Sequence, residues 1–363
     1  MESTVCPPPQ SGAPALPAPE NTRRPVGIND VAARAGVSPG TVSNVLNRPE
    51  RVAEATRLRV ERAIRELDYV RNSSGRSLRA GRSDSVGLLV LDVTNPFFTM
   101  VARGVEDQAA EDGLTVMLLN SAENPERQRR SLRVLAEHRA AGAVVMPVDN
   151  DVADLLWLRE RGIPWVLLDR GDVAVDVGSS VYVDNHAGGL AAGRHLVSLG
   201  HERITYLSGP LSLEQCRTRL AGLRAALEEN GVEAGDAVRL IEAPSLTADS
   251  GEKAVEEVLA GGPRRRPQAV FCANDQLALG LLKGLGARGL SVPDDLSVVG
   301  YDDVDVAALV HPGLTTVAQP KYQIGRAAMR LLAAEIHEPR GAHERLVFTP
   351  RLVVRGSTAA HRG

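Results

Sequence analysis

Ser38, Thr41, Ser43, Asn44 and Asn47 lie within ten residues of one another, and all five side chains are short and form hydrogen bonds. Val42, Val45 and Leu46 fall between them at i, i+3 and i+4, the spacing of one inward helix face. The polar set is therefore left on or near the outer face. Ser38 can cap this helix, with Pro39 at its first position. Short amides and hydroxyls on a protruding helix are the groups that read base edges and phosphates in a DNA major groove. The preceding residues supply a support for that helix. Asp30 can cap a first helix with Val31, Ala32 and Ala35 on its apolar side, Gly36 offers a left-handed residue at its end, and Val37 plugs the turn. Two short helices and a tight turn between Ile28 and Asn47 make a helix-turn-helix, although an ordinary helical hairpin shares the same turn pattern.

Charge favours the nucleic-acid reading. From Arg23 to Arg82 the chain has thirteen arginines and no lysine against six acids, a local net charge of +7. The whole chain is −3, and the first 22 residues carry only Glu2 and Glu20, so the part from Ser83 onward is −8. A basic head on an acidic body is the electrostatic footprint of a modular nucleic-acid binder. A third helix over Val52 to Leu67 completes a small core. The following polar stretch holds Leu78 between Arg76, Arg79 and Arg82, which suits a short helix that orders in the minor groove with the leucine as a wedge.

A second set of polar residues lies in the body. Continuous apolar runs such as SVGLLVL, LTVMLLN, AGAVVMPV, IPWVLLD, RITYLSG, AVFCAND and LSVVGYDD alternate with helical segments. That alternation predicts parallel doubly wound sheets, and its length predicts two lobes. In such folds ligands bind beyond the carboxyl ends of the strands. The residues there are Asp92 to Phe98, including Asn95, Phe97 and Phe98, then Asp149, Asp169-Arg170, Asn274-Asp275 and Asp302-Asp303.

Other classes fit poorly. Cys6, Cys216 and Cys272 have no metal-ligand or redox spacing, and the eight histidines do not cluster with them, so no metal and no cofactor are expected. GLGARG at Gly284–Gly289 satisfies a dinucleotide pattern formally but ends a helix instead of opening one. No serine sits in a nucleophile elbow, so an enzyme is not expected. A Pro-rich N-terminus without a signal core, and no membrane-length apolar run, point to a cytoplasmic protein with no membrane partner. A solute-binding protein of an uptake system would share two lobes but not the basic head.

The motifs DVAARAGVSPGTVSNVLN, NSSGRSLRAGRSDSVGLLV, DVTNPFF, LGHERITYLSGP, RTRLAGL, CANDQLALG, SVVGYDD and PGLTTVAQP occur in the order and spacing of the lactose-repressor/galactose-repressor family. The chain resembles that family from about Pro25 to Gly356. The resemblance implies a small all-α helix-turn-helix head joined by a hinge to a two-lobed α/β periplasmic-binding-protein-like domain. The corresponding segments are a disordered Pro-rich tail over 1–25, a DNA-binding domain over 26–72, a hinge over 73–84 and an effector-binding and dimerisation domain over 85–358. Lobe 1 would take about 85–184 plus 318–344, and lobe 2 about 185–317 plus 345–358. The chain would cross between lobes near Asp184-Asn185, near Val317–Gln319 and around Arg345.

For partners, the resemblance implies a double-stranded DNA operator, a homodimer and a small sugar-like effector in the cleft. A phosphometabolite or a protein co-regulator is the rival to the sugar. The C-terminal segment shows no leucine heptad, so a dimer and not a tetramer is expected. Pro39, Gly40 and Asn44 match the family's base-reading positions. Gly40 and Pro39 offer no polar side-chain group, which concentrates readout on Asn44, where many relatives have arginine. Ser38 and Thr41 fit phosphate contacts. Leu78 matches the intercalating leucine, with Arg76 beside it. Arg219 matches the effector-contacting arginine, and Arg217 two residues earlier is expected to face the cleft with it. Asn274, Asp302 and Gln319 match polar contact positions. Leu246 falls where relatives often carry an aromatic residue, so a flat aromatic effector such as a purine is disfavoured, and Phe97 or Phe98 becomes the substitute platform.

Overall fold

The computed structural model describes residues 26–69, 83–149, 152–171, 178–232, 234–260, 266–338 and 342–361. The chain divides into two compact units, residues 1–76 and 77–363. The expected tail, and residues 73–82 of the expected hinge with Arg76 and Leu78, lie outside the described residues.

The small unit contains α1 (Ile28–Ala35), α2 (Pro39–Asn47) and α3 (Glu54–Glu66). Val31, Ala32, Val42, Val45, Val60 and Ala63 close its core, with Leu46, Ile64 and Tyr69 packed against it. Gly36 ends α1 at φ 65°, in the left-handed region that a side chain would disfavour. Helix α1 begins three residues earlier than Asp30 as a cap would require. Gly27 is the cap, and the Asp30 carboxylate, in the first turn, accepts the Gly27 N–H at 2.7 Å. An acid there serves the same helix end, because it neutralises an orphan donor and lies on the positive end of the dipole.

Among the described residues the large unit carries two six-stranded sheets. The first contains β1 (Ser85–Val90), β2 (Thr115–Asn120), β3 (Gly142–Val145), β4 (Trp165–Leu168), β5 (Ser179–Val183) and β11 (Arg345–Phe348), in the order β11-β5-β4-β3-β1-β2, all parallel. The second contains β6 (Ile204–Ser208), β7 (Val238–Glu242), β8 (Ala269–Cys272), β9 (Ser297–Asp302), β10 (Thr315–Ala318) and β12 (Arg351–Val353), in the order β12-β10-β9-β8-β6-β7. Only β12 runs antiparallel to its neighbour. The central strands are buried on both faces, which is why they read as unbroken apolar runs.

The helices of this unit are α4 (Pro96–Glu111), α5 (Pro125–Glu137), α6 (Ala153–Glu160), α7 (Asn185–Ser198), α8 (Glu214–Glu228), α9 (Ala234–Ala237), α10 (Ala248–Lys253), α11 (Val255–Leu259), α12 (Asp275–Gly286), α13 (Asp305–Leu309) and α14 (Lys321–His337). Helix α14 packs on α4 and on β3, β4 and β5, so it belongs to lobe 1, although its sequence follows lobe 2.

One expected boundary is corrected. Arg345 to Phe348 pair with Ser180 to Val183 in the lobe 1 sheet, so this segment is not part of lobe 2. The third crossing therefore falls at Thr349-Pro350, between β11 and β12, and not at Arg345. The free edge of β5 takes a parallel partner there before the chain leaves the lobe. The other passages between the sheets lie at Asp184, between β5 and α7, and at Gln319-Pro320, between β10 and α14.

Candidate functional site

In the small unit, Ser38 caps α2 by accepting the Thr41 N–H at 3.1 Å, and the two hydroxyls lie 2.9 Å apart. The Asn47 amide turns back to the Ser43 carbonyl at 2.8 Å and its hydroxyl at 3.2 Å. Ser38, Pro39, Asn44 and Asn47 are exposed, while Thr41 and Ser43 are half-buried. The polar groups read from the sequence thus sit on one side of α2, but four of them already hold each other. Asn44 is exposed and spends no side-chain hydrogen bond within the helix, so its amide is available to a base edge. Exposed Arg48, Arg51, Arg59, Arg62 and Arg65 surround this unit with positive charge.

The cleft of the large unit occupies about 440 Å³, including its solvent-open mouth. Strand ends and helix starts from both lobes build it. Asn95 caps α4 by accepting the Phe97 N–H at 3.0 Å, which fixes the turn that delivers Phe97 and Phe98. Their rings meet edge to face, with centres 5.1 Å apart, and both are core residues whose edges reach the cleft. Asn274 caps α12 through Oδ1 and donates Nδ2 to the Leu246 carbonyl at 3.0 Å. It therefore holds the loop that forms the opposite wall.

Arg219 is the centre of the site. It is 3% exposed, donates Nε to Asn185 Oδ1 at 2.8 Å and Nη1 to the Ala273 carbonyl at 2.6 Å, and stacks over Tyr301. Its position depends on Gly189. A methyl group on Gly189 would lie 2.1 Å from the Arg219 carbonyl oxygen, so only glycine lets α7 and α8 approach this closely. Burial opposes the charge of Arg219, but Tyr301, Asp302 and Asp169 outweigh it and raise its pKa above the ordinary arginine value. Asn185 also donates to Asp169 Oδ1 at 3.2 Å, so Asp169, Asn185 and Arg219 form a chain from lobe 1 into lobe 2 across the first crossing.

Asp302 ends β9 and Asp169 follows β4, with φ of 111° and 54°. Non-glycine residues with positive φ cost energy and gather at ligand sites. Burial pushes the Asp302 carboxyl up to about 6, against the opposing pull of Arg219 and of Gln319, whose Nε2 donates to it at 2.6 Å. Burial also raises Asp169. Lys321 at the start of α14 donates Nζ to the Asp302 carbonyl at 2.9 Å, tying the strained turn to lobe 1.

The structure brings Asn95, Phe97, Phe98, Arg219, Leu246, Asn274, Asp302 and Gln319 to one cleft. Asp149 and Arg170 line an adjoining compartment instead, where the Asp149 carbonyl accepts Arg170 Nη1 at 2.6 Å and Arg170 Nε lies 3.2 Å from Glu214 across the lobes. Arg217 does not face the cleft. Its guanidinium bonds the Leu211 and Ser212 carbonyls on the exposed side of α8, because residues two apart on a helix point to nearly opposite faces. Asp92 and Asp169, expected at the ligand end of the strands but given no effector role, line the cleft, and so do Glu123 and Gln215, which were not expected there. Asp92 and Asp169 were legible as strand-end acids, whereas Glu123 and Gln215 carry no spacing signal.

A helix-turn-helix unit followed by two parallel-sheet lobes with a polar cleft is a combination that can be compared with known proteins. Residues 27–72 match the family described as bacterial regulatory proteins, lacI family, and residues 194–358 match the periplasmic binding protein-like domain. The HTH-type transcriptional repressor PurR of Photobacterium profundum is 38% identical over 334 residues, covering 91% of this chain and 98% of that protein. The chain belongs to the lacI family. The ribose operon repressor of Escherichia coli (strain K12) is 35% identical over 332 residues, covering 91% of this chain and 99% of its own length. Among solved structures, the lac repressor dimer bound to operator and the anti-inducer ONPF superimposes with a TM-score of 0.80 at 29% identity, covering 93% of this chain and all of that one. This lacI-family chain is a DNA-binding regulator of transcription and not an enzyme.

Proposed function

We propose that this lacI-family protein represses carbohydrate-metabolism genes as a homodimer, and that a small sugar-like effector in the interlobe cleft sets its affinity for the operator. The observation that carries the effector reading is the buried Arg219–Asp302–Gln319 group, because a guanidinium, a carboxylate and an amide together can hold adjacent hydroxyls. Asn95 and Asn274 flank it, and the Phe97, Phe98 and Leu246 walls offer apolar contact to a ring edge. The relative named as the ribose operon repressor supports the sugar reading, and the lac repressor dimer bound to operator supports the dimer and operator reading. Placement of Arg217 outside the cleft removes the paired-arginine argument for a phosphometabolite.

In this reading two helix-turn-helix units sit on adjacent half-sites of a roughly palindromic operator, with Asn44 reading a base and Ser38 and Thr41 near phosphates. Effector in the cleft changes the contacts that already link the lobes, namely Arg170 to Glu214 and Asp169 to Asn185. An effector shifts the equilibrium only by its differential affinity for the two lobe arrangements.

Fluorescence anisotropy on the DNA upstream of the protein's own reading frame, followed by a panel of sugars and sugar phosphates, tests this. Selective binding released by one unphosphorylated sugar is the expected result. Selective binding that responds only to a sugar phosphate overturns the effector assignment, and failure of genome-wide site selection overturns the operator reading.

A further inference from the structure

Four carboxylates line the cleft, those of Asp92, Glu123, Asp169 and Asp302, and Arg219 is the cation among its lining residues. Asp169 and Asp302 are compensated, since both face Arg219 and Asp302 also feels Lys321. Asp92 and Glu123 are not. The Asp92 carboxylate accepts the Thr94 N–H at 2.9 Å and the Thr94 hydroxyl at 2.8 Å, all neutral donors. Glu123 accepts the Leu246 N–H across the cleft and is half-buried beside Asp92, whose charge repels it. Among the described residues neither acid has an ion pair.

The rest of the cleft is also short of donors. Gln319 is 5% exposed, and its Oε1 is buried with no hydrogen-bond partner while Nε2 is committed to Asp302. Arg219 has two of its three nitrogens committed to Asn185 and Ala273, and Asn274 has spent its amide on Leu246. A ligand that completes this site brings donors to acceptors, and brings positive charge to the unpaired acids.

We propose that the effector carries a protonated amine beside its hydroxyls, as an amino sugar does, with the ammonium between Asp92 and Glu123 and a hydroxyl donated to Gln319 Oε1. This rests on the sugar-like effector reading and narrows it. An ammonium makes charge-assisted hydrogen bonds to two carboxylates that a neutral hydroxyl cannot match. A phosphate or carboxylate on the ligand meets like charge at the same place.

Isothermal titration calorimetry on the full chain tests this with glucosamine, galactosamine and mannosamine, each against its neutral parent sugar and its N-acetyl form. The expected result is one amino sugar binding at least tenfold more tightly than both counterparts. Glu123→Gln and Asp92→Asn should each remove that preference, and thermal unfolding verifies that both variants remain folded. Glutamine at 123 keeps an acceptor for the Leu246 N–H. A parent sugar that binds as tightly as its amine, or a preference that survives both substitutions, overturns the amine assignment and leaves the sugar-like reading standing. Absence of binding by every member of the panel overturns the amine assignment, and the wider sugar panel on the operator complex then decides the sugar-like reading.

Discussion

The guanidinium carbon of Arg219 lies 3.5 Å from the centre of the Tyr301 ring, which stacks the cation on an aromatic face inside the cleft wall. Three restraints therefore fix one side chain: the ring, the Asn185 carboxamide and the Ala273 carbonyl. Lysine reproduces the charge but neither the planar fork nor the stacking. Arg219→Lys should weaken effector binding by about 2–3 kcal/mol, the range for losing a desolvated cation–π contact and a charged hydrogen bond. Tyr301→Phe keeps the ring face and should change affinity by less than about 1 kcal/mol. Calorimetry on both variants checks the pair, and equal losses would show that the ring face is not the restraint.

Gly189 sets the height of that arginine. Gly189→Ala forces a methyl group against the Arg219 backbone, where no rotamer change can relieve it. Overpacking of this kind costs about 1–3 kcal/mol. The melting temperature should fall, and effector affinity should fall with it because α8 moves away from α7. A variant with lowered stability and unchanged effector affinity would separate Gly189 from the positioning of Arg219.

On the DNA side, Asn44→Ala removes an exposed amide that α2 does not use internally. Selection from a random-sequence pool should show relaxed preference at one position of each half-site, worth about 1–3 kcal/mol. The slope of affinity against salt should stay unchanged, since no phosphate contact is lost. Unaltered selectivity would return the readout to other residues of α2.

Asp275 makes folding stability fall with rising pH. Burial and the neighbouring Asp302 push its carboxyl up to about 8 from an ordinary value of 3.8. The folded state therefore holds a proton that the unfolded state has released between about pH 4 and pH 8. Stability attributable to this group is full below that window and is lost as pH rises through it. Asp302, pushed up to about 6, acts in the same direction up to that pH. Asp275→Asn should flatten the profile and raise the melting temperature at pH 8 relative to the parent. Its side chain meets the Thr316 hydroxyl and the Val304 N–H, and an amide can keep a partner at both. A variant whose melting curve still tracks that of the parent from pH 5 to 8 would show that Asp275 is not the titrating group.

Association can be probed at apolar side chains that the single chain leaves exposed. Leu118 on edge strand β2 is 52% exposed and Leu309 at the end of α13 is 81% exposed. A contiguous apolar patch marks a contact surface, and a charge placed at either leucine tests whether it belongs to one in the proposed homodimer. Leu118→Asp and Leu309→Asp should each shift sedimentation toward the monomer and weaken operator binding, with little effect on the melting temperature of the small unit. A dimer unaffected by both changes would place the interface elsewhere.

Much of the fold was legible because its strands are buried on both faces and carry few polar residues. Strands β5, β7, β10, β11 and β12 were not among the runs read as strands, and β5 shows why: Ser179 and Ser180 are 2% and 1% exposed yet polar, and Ser179 is satisfied by Glu335, from α14, at 2.6 Å. A buried polar partner so distant in sequence disguises a strand. The assignment of β11 to lobe 1 was hidden for a related reason, since its place is decided by the free edge of β5 and not by its own residues. In the cleft, acids at strand ends were readable from position. The opposed directions of Arg217 and Arg219 follow from helical phase, which resemblance to a motif does not resolve. Glu123 reaches the cleft through a turn in which it and Ala122 both have positive φ, a geometry that nothing in the local sequence announces.

The lobes are joined at Asp184, at Gln319-Pro320 and at Thr349-Pro350, each a connection with almost no slack between regular elements. Three short tethers side by side act as the knuckles of a door hinge: they forbid sliding and stretching and leave one swing. Under the proposed function, the angle of that swing is what carries ligand size and shape beyond the cleft. Gln319 sits on one of these knuckles and also touches Asp302 in the cleft, so under the proposed function sensing and pivoting share a residue. A substitution there should alter how far the door travels as well as how tightly the ligand is held.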